Sequence, residues 1–436
     1  MEAHTVDSPA VPTEIWREIF HILLWDDIIF DSDPVSSSHQ PHIALRSWYD
    51  TNRLLKLWKQ RATLRTVSKR WKDIADTSLY QYLRPSNLTG TPVNGVTLQR
   101  AYRLQFGHPS SVCSCRDQCI CRDYAYWCFG GSREPRSTRL LADSMSSIGR
   151  LRAKILVLPG SEWNALMAKP AVAVTELLGE VRSLVIESFV SIPKEIPIIC
   201  PNLTLLALHV TNFSWEKSAI EPVTLPDLST LQIVVDREED LQKIGRWKMP
   251  SLKYLELRMS SGFGEISFAD FLQEVGKGLI SLQIGDTGKS ITLFDGIWSA
   301  LPKVRYFGVS TLSDGFDMLP SPPQDHPLRT ISNREPPDYN FWRREIIDVV
   351  DKWTRIECIS DSHSWEDMDQ EILKLERSEN QVSEHYCKSD NSVCHQCIYD
   401  GNTRCEERNV RYKDAFGRTW AEYKQAYVIP SRNEEV

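Results

Sequence analysis

The chain has 436 residues, enough for about two to four domains or for one elongated array with appended segments. Its 41% hydrophobic and 25% charged residues are typical of a globular protein, while a net charge of −7 and a pI of about 5.9 argue against a dedicated nucleic-acid-binding protein. No stretch reaches the roughly 20 apolar residues that span a bilayer, and the first ten residues lack the apolar centre of a signal peptide. We therefore expect an intracellular protein with no nucleic acid and no membrane among its partners.

Two segments near the start have the spacing of amphipathic helices. In residues 63–83 the apolar side chains recur at steps of three and four, and residues 11–25 present an apolar face as well. Pro12 suits the first turn of a helix, where its missing N–H has no partner to lose. Two such helices are too small to be stable alone, so we expect them to rest on the rest of the chain.

These two segments together resemble an F-box. The residues that carry the resemblance are Val11 to Trp16, Ile19-Phe20, Leu23-Leu24, Leu64 to Trp71 and Leu79-Tyr80, and they cover about a fifth of the chain. The resemblance implies a three-helix module that docks on the Skp-type adaptor of an SCF ubiquitin ligase, next to a cullin. The adaptor-binding residues that it implies are Pro12, Ile15, Ile19, Leu64, Val67 and Trp71. The alternative is a structural helical hairpin with no docking role.

An insert at residues 26–62 separates the two halves of this pattern and is longer than the usual F-box connection. Its first part, DDIIFDSDPVSSSHQPH, is acidic and then rich in Ser and Pro, so we expect a flexible loop there. Its second part, SWYDTNRLLKLWKQRA, is expected to be helical. Because the insert interrupts the docking pattern, it favours the alternative of a scaffold protein that recruits no ligase.

A repeated pattern follows, in which apolar residues stand at positions 1, 4 and 6 of each unit. Its first positions are Ala153, Val181, Leu203, Leu228, Leu252, Leu279, Val304, Leu328 and Trp353. The spacing of about 25 residues and the strand-then-helix pattern resemble leucine-rich repeats. We therefore predict an α/β fold with a leucine-rich-repeat-like solenoid over residues 151–360, and an ordinary α/β domain with Leu-rich strands is the alternative.

The alternation of side chains along a strand predicts which residues of each unit are buried. We expect these to lie in the core of consecutive parallel strands: Leu206, Leu208, Leu231, Ile233, Leu255, Leu257, Leu282 and Ile284. Their neighbours Thr230, Gln232, Tyr254, Glu256 and Arg258 are expected to be exposed on the concave face. Tyr and Arg often anchor interfaces, so we predict Tyr254, Arg258 and Tyr306 as target-binding residues. The alternative is that a target binds a loop or the tail at 361–436.

Two groups of cysteines flank the repeats, one at residues 113–128 within a linker at 91–150 and one in the tail. Cys394 and Cys397 have the spacing of a zinc pair, which Cys387 and Cys405 could complete. Free thiols are the simpler interpretation, so we expect no cofactor. No motif for a catalytic site occurs.

The predicted organisation is thus an F-box-like domain at 1–90, the linker, the solenoid and the tail. It resembles that of F-box/leucine-rich-repeat proteins and implies a non-catalytic substrate-recognition subunit of an SCF-type ligase, whose protein substrate is unknown. A scaffold protein that is not coupled to ubiquitination is the main alternative, and an enzyme with an unrecognised site is a third.

Overall fold

In the part of the chain that the structure describes, twelve short parallel strands follow one another across a single sheet in their order along the chain. The computed structural model describes residues 11–35, 44–45, 48, 51–78, 82–83, 101–105, 141, 150–189, 196–210, 223–235, 238–259, 265–286, 296–309, 320–333, 350–351, 353–360, 365, 402–414 and 417–428. The strands are β1 (Tyr82–Leu83), β2 (Arg103–Gln105), β3 (Ile155–Pro159), β4 (Ser183–Phe189), β5 (Leu205–Val210), β6 (Thr230–Val235), β7 (Tyr254–Met259), β8 (Ser281–Asp286), β9 (Tyr306–Val309), β10 (Thr330–Asn333), β11 (Cys358–Ser360) and β12 (Arg411–Lys413). The predicted α/β fold with a parallel sheet is therefore confirmed, and it is compatible with a solenoid.

The helices fall into two groups. Near the start of the chain, α1 (Thr13–Leu24), α2 (Thr51–Val67) and α3 (Lys69–Ser78) form a helical module. Helices of the second group lie between strands: α4 (Gly160–Met167), α5 (Ala171–Leu178), α6 (Ile196–Ile199), α7 (Glu238–Gly245), α8 (Glu265–Val275) and α9 (Ile297–Ala300). The last helix, α10 (Trp420–Val428), follows β12. None of the helices in the described ranges has the length and apolar character that a membrane span requires.

The main core lies between one face of the sheet and the helices of the second group. One buried residue from each of eleven successive strands stands in register across it: Leu104, Leu156, Leu184, Leu206, Leu231, Leu255, Leu282, Phe307, Ile331, Ile359 and Tyr412. A parallel pairing in register keeps the period-two alternation aligned from strand to strand, so these side chains pack in one row. All eight core positions predicted for β5 to β8 are buried, and that prediction is confirmed.

A repeated backbone turn sets the register of neighbouring strands. The carbonyl group of the residue before one strand accepts two N–H groups from the start of the next, as Lys154 O does from Arg182 (2.8 Å) and Ser183 (2.9 Å). The same pair of bonds recurs with Arg182, Thr204, Ser229, Lys253, Ile280, Arg305 and Arg329 as acceptors. These connections from helix to strand all meet at the edge where the strands begin. Backbone groups make these repeated bonds, so the bonds themselves do not depend on which side chains stand at this edge.

Candidate functional site

Helix α1 has an apolar surface about twice as wide as one buried face requires. An α-helix turns by about 100° per residue. Around the axis of α1, the apolar side chains therefore cover an arc of about 200°, which runs from Ile22 through Ile15, Ile19 and Trp16 to Leu24. A stripe of about 100° is enough to bury one face of a helix. Phe20 and Leu24 form the buried half of the arc, whereas the other half faces solvent, with Ile15 50% and Ile22 72% exposed. The second half is therefore available to a partner.

The six predicted adaptor-binding residues divide between this exposed surface and the interior of the module. Pro12 and Ile15 are exposed on α1, and Val67 is 57% exposed on α2. The other three are partly buried. Ile19 and Leu64 pack around Phe20, Ile74 and Ala75, and the ring of Trp71 lies 4.6 Å from that of Trp16 and 5.1 Å from that of Phe20. These three residues thus shape the module from within.

The residues between α2 and α3 hold the exposed surface together. Ser68 Oγ accepts a hydrogen bond from the N–H of Trp71 (3.1 Å), the usual cap of a helix N-terminus. The Arg70 guanidinium group donates to Val11 O (3.0 Å) and to Thr13 Oγ1 (2.7 Å), so α3 is fixed against the start of α1. These contacts give Ser68, Arg70 and Trp71 structural roles within the module, whereas Val67 stays exposed.

The first part of the insert is packed against the sheet, and the prediction of a flexible loop is wrong for residues 26–35. Ile29 and Phe30 are buried, and the Trp25 ring stacks on Phe30 at 4.6 Å. Arg103 of β2 is 1% exposed and donates to Ile29 O (2.8 Å) and Trp48 O (3.1 Å), and its guanidinium group lies 4.4 Å from the Trp48 ring centroid. We call residues 25–35 together with Trp48 the brace.

The brace covers the inner face of the sheet, which is the face away from the helices of the second group. Val35, Leu45 and Trp48 form a second apolar cluster with inner-face side chains of β3, β4, β5 and β7, namely Ile155, Val157, Val185, Leu205, Ala207 and Tyr254. Polar contacts continue along the strand starts. Ser32 O accepts from Ser183 Oγ (2.5 Å) and Thr204 Oγ1 (3.2 Å), and the Asp33 carboxylate accepts from Ser229 Oγ (3.1 Å). The insert thus ties the helical module to the sheet.

Farther along the inner face, the side chains change from apolar to polar and form a network. Glu256 on β7 accepts hydrogen bonds from Gln232 Nε2 (2.7 Å) and the Tyr254 hydroxyl (3.2 Å), and Arg258 Nε lies 3.3 Å from its other oxygen. On β8, Gln283 Nε2 donates to Ser332 Oγ of β10 (3.1 Å). That bond passes over β9, where Gly308 stands in register and contributes no side chain.

The predicted exposure of this face is wrong. Thr230, Gln232, Tyr254 and Glu256 are all buried, and the Arg258 side chain is only 11% exposed. Sheet alternation correctly separated the two faces, but it carries no information on what packs over the inner one. Of the three predicted anchors, Tyr254 is fully buried and Tyr306 is partly buried, with burial raising the pKa of its hydroxyl.

The candidate zinc ligands are only partly within the described residues. Cys405 lies there and is buried in the main core, where burial raises the pKa of its thiol to about 12. The remaining three candidates, Cys387, Cys394 and Cys397, are outside the described residues, as is the cysteine group at 113–128. Within the described ranges, no three His, Cys, Asp or Glu side chains are grouped as a metal site.

Comparison with known proteins adds no assignment. No family model matches the chain, and a search of curated proteins finds no match either.

Proposed function

We propose that this chain is the substrate-recognition subunit of an SCF-type ubiquitin ligase inside the cell. In this proposal the helical module binds the Skp-type adaptor, and the strand-and-helix array binds the protein to be modified. Ubiquitin transfer belongs to the other subunits, and the chain itself catalyses no reaction.

The observation that supports adaptor docking best is where the exposed hydrophobic side chains lie. The described residues include seven large hydrophobic side chains that are exposed, and five belong to the helical module: Val11, Ile15, Ile22, Leu23 and Val67. Single exposed hydrophobic residues are normal on a protein surface, whereas a group of them on one small module is typical of an interaction site. Four of the five lie on or next to α1, on the half of its arc that the module leaves open.

The described residues of the insert leave open the surface of α1 that docking would use. An insert after α1 could have covered the exposed half of that helix. Instead residues 25–35 turn onto the sheet, and Arg53 of α2 pairs with Asp26 at 3.2 Å. The described part of the insert is therefore compatible with adaptor docking, which weakens the argument that the insert favours a scaffold.

The proposal is tested by co-purification of the full chain with adaptor and cullin. We expect Ile15→Ser and Ile22→Ser each to reduce adaptor capture at least about tenfold, because each removes an exposed apolar side chain that docking would bury, at about 1.5–3 kcal/mol for an aliphatic side chain. Neither change affects a core contact, so thermal stability should stay within about 0.5 kcal/mol of the parent.

Ile198→Ser on α6 is the matched control, because Ile198 is 64% exposed but lies on the array. Adaptor capture should be unchanged in this variant. If the parent chain captures no adaptor, or if all three variants lose it equally, the docking proposal is wrong, and a scaffold without ligase recruitment becomes the better interpretation.

A further inference from the structure

The edge where the strands begin is strongly basic, although the chain as a whole has a net charge of −7. The connections that lead from helix to strand, together with the first residue of β12, carry these Lys and Arg residues: Arg150, Arg152, Lys154, Arg182, Arg246, Lys248, Lys253, Lys277, Lys303, Arg305, Arg329, Arg355, Arg408 and Arg411. The described residues of these connections include only four acidic side chains, namely Glu180, Asp227, Asp325 and Glu357. We call this surface the basic edge.

Most of these cations are open to solvent and make no ion pair with the described residues. Glu180 binds Arg150 and Lys154, Glu357 lies 3.0 Å from Arg329, and Asp351 lies 2.9 Å from Arg408. The ten that remain are all exposed: Arg152, Arg182, Arg246, Lys248, Lys253, Lys277, Lys303, Arg305, Arg355 and Arg411. Like charges held on one edge repel each other, and a partner of opposite charge would relieve that repulsion.

The parallel sheet gives this surface its shape. Neighbouring strands lie about 4.8 Å apart, so the edge from β3 to β12 is about 40 Å long. A polypeptide in extended conformation advances about 3.3 Å per residue, so about 12 residues would span the whole edge and about seven would span the roughly 24 Å from β7 to β12. The basic edge therefore has the dimensions of a long, narrow binding surface.

The chain already places an acidic segment of its own on one part of this edge. Residues 31–33 are Asp-Ser-Asp, and they contact the residues at the starts of β4, β5 and β6 through the hydrogen bonds of Ser32 and Asp33. The residues directly before β5 and β6 are Thr204 and Ser229, which are neutral, whereas the residues before β4, β7, β9 and β10 are Arg182, Lys253, Arg305 and Arg329. The edge thus already holds one acidic segment, through the hydroxyl groups of Ser183, Thr204 and Ser229. Beyond that segment, Arg329 and Arg408 pair with Glu357 and Asp351, and the other cations of the described connections are exposed.

We propose that the open part of the basic edge, from β7 to β12, binds an extended acidic segment of the target protein. This inference rests on the proposed function only where it identifies the partner as the target of the ligase. Binding of an acidic segment at this edge does not depend on it. Acidic side chains at alternate positions of the bound segment would lie about 6.6 Å apart, within reach of the exposed cations in the connections that precede β7, β8, β9 and β11. Most described side chains of the inner face from β3 to β8 are buried, whereas the cations of the edge are exposed, so we place the acidic partner on the edge.

A polypeptide fits this surface better than a nucleic acid does. Proteins that bind single strands place exposed aromatic rings beside their cations, so that bases can stack on them. The aromatic residues of the described connections, Trp247 and Trp353, are buried at 5% and 3% exposure. The surrounding negative charge of the chain would also repel a long polyanion at a distance, but would affect a short acidic segment less.

The test is a binding measurement on the full chain with three fluorescent probes. These are a 12-residue peptide of alternating Glu and Ser, the same peptide with Gln in place of Glu, and a 12-nucleotide oligo-dT strand. We expect the Glu peptide to bind at 50 mM NaCl and to weaken steeply at 300 mM, while the Gln peptide does not bind. Tighter binding of oligo-dT than of the Glu peptide would overturn the proposal.

Two sets of neutralising substitutions locate the site. The edge variant combines Lys253→Gln, Lys277→Gln, Lys303→Gln and Arg305→Gln. Its control combines Lys56→Gln, Lys59→Gln, Lys69→Gln and Lys72→Gln, which removes the same charge from exposed cations of the helical module. Loss of four exposed pairs should weaken binding of the Glu peptide at least about tenfold in the edge variant, and less than about twofold in the control. Equal loss in both sets, or no binding to the parent chain, would refute the proposal.

Adaptor capture, measured on the same preparations, separates this proposal from the proposed function. An edge variant that keeps its fold and its adaptor but loses the Glu peptide supports the basic edge. A parent chain that binds the Glu peptide through the edge but captures no adaptor contradicts the SCF proposal alone.

Discussion

Arg103→Met is the substitution that tests the brace most directly. The guanidinium group of Arg103 donates to Ile29 O and Trp48 O and lies over the Trp48 ring, with 1% of the residue exposed. Methionine has a similar length but can donate to neither carbonyl group. Each hydrogen bond to a charged group is worth about 1.5–3 kcal/mol, and a desolvated cation–π contact adds about 2 kcal/mol. Relief of the buried charge offsets part of that loss, so we expect a net destabilisation of about 3–5 kcal/mol.

Hydrogen exchange followed by mass spectrometry shows which segments of the chain lose stability in the variant. Peptides from residues 13–35 should exchange faster in the variant, because the brace can then leave the sheet without unfolding it. Peptides from β7 to β9 should exchange at the parent rate, since their core contacts are untouched. Arg103→Lys serves as the second variant, because one ammonium group keeps the charge but cannot reproduce the planar, two-bond geometry. Parent-like exchange over residues 13–35 in both variants would show that Arg103 does not hold the brace.

Three further predictions concern other parts of the fold. Trp71→Ala removes a ring that packs against two aromatic residues of α1, and should lower the unfolding free energy by about 3 kcal/mol in urea titration and abolish adaptor capture. Gly308→Ala should destabilise by about 2 kcal/mol, because the added Cβ would lie 2.5 Å from Ser332 Oγ, and Ser332→Ala in the same chain should restore part of the loss. Burial lowers the pKa of His326, whose Nδ1 accepts the N–H of Leu328 (3.2 Å). The unfolded chain therefore binds a proton at this residue more readily, so the free energy of unfolding should be full above about pH 6.5 and fall as the pH drops below it. His326→Gln should flatten that pH profile in thermal melts.

The strands and their buried positions could be predicted from sequence because every unit repeats the same constraint. Apolar residues such as Leu255 and Leu257 alternate with their neighbours, and a spacing near 25 residues leaves room for one helix between strands. Three prolines carry a further signal of the strand starts. Pro226, Pro250 and Pro302 each lie four residues before a strand, at the second position of a turn that brings the chain back to the sheet.

The brace could not be predicted in the same way. Its composition of Asp, Ser and Pro is that of a loop, and the groups that fix it are largely backbone carbonyls, such as Ile29 O and Ser32 O, which carry no sequence signal. Their donors, Arg103 and Ser183, lie more than 70 residues away along the chain. The one local sign was the apolar run Ile28 to Phe30 between acidic residues, which a solvated loop has no reason to contain.

The brace also links the two proposed binding surfaces physically. It begins directly after α1, whose outer face is the proposed adaptor surface, and its Ser32 and Asp33 lie on the starts of β4 to β6, next to the open part of the basic edge. Buried contacts of Ile29, Phe30 and Trp48 lie between these two points, so the connection is packed along its length. If the proposed function holds, the chain has to present its target at a defined position relative to the adaptor. A packed brace would meet that requirement. A flexible loop of the same length would not, because it would leave the target free to move relative to the helical module.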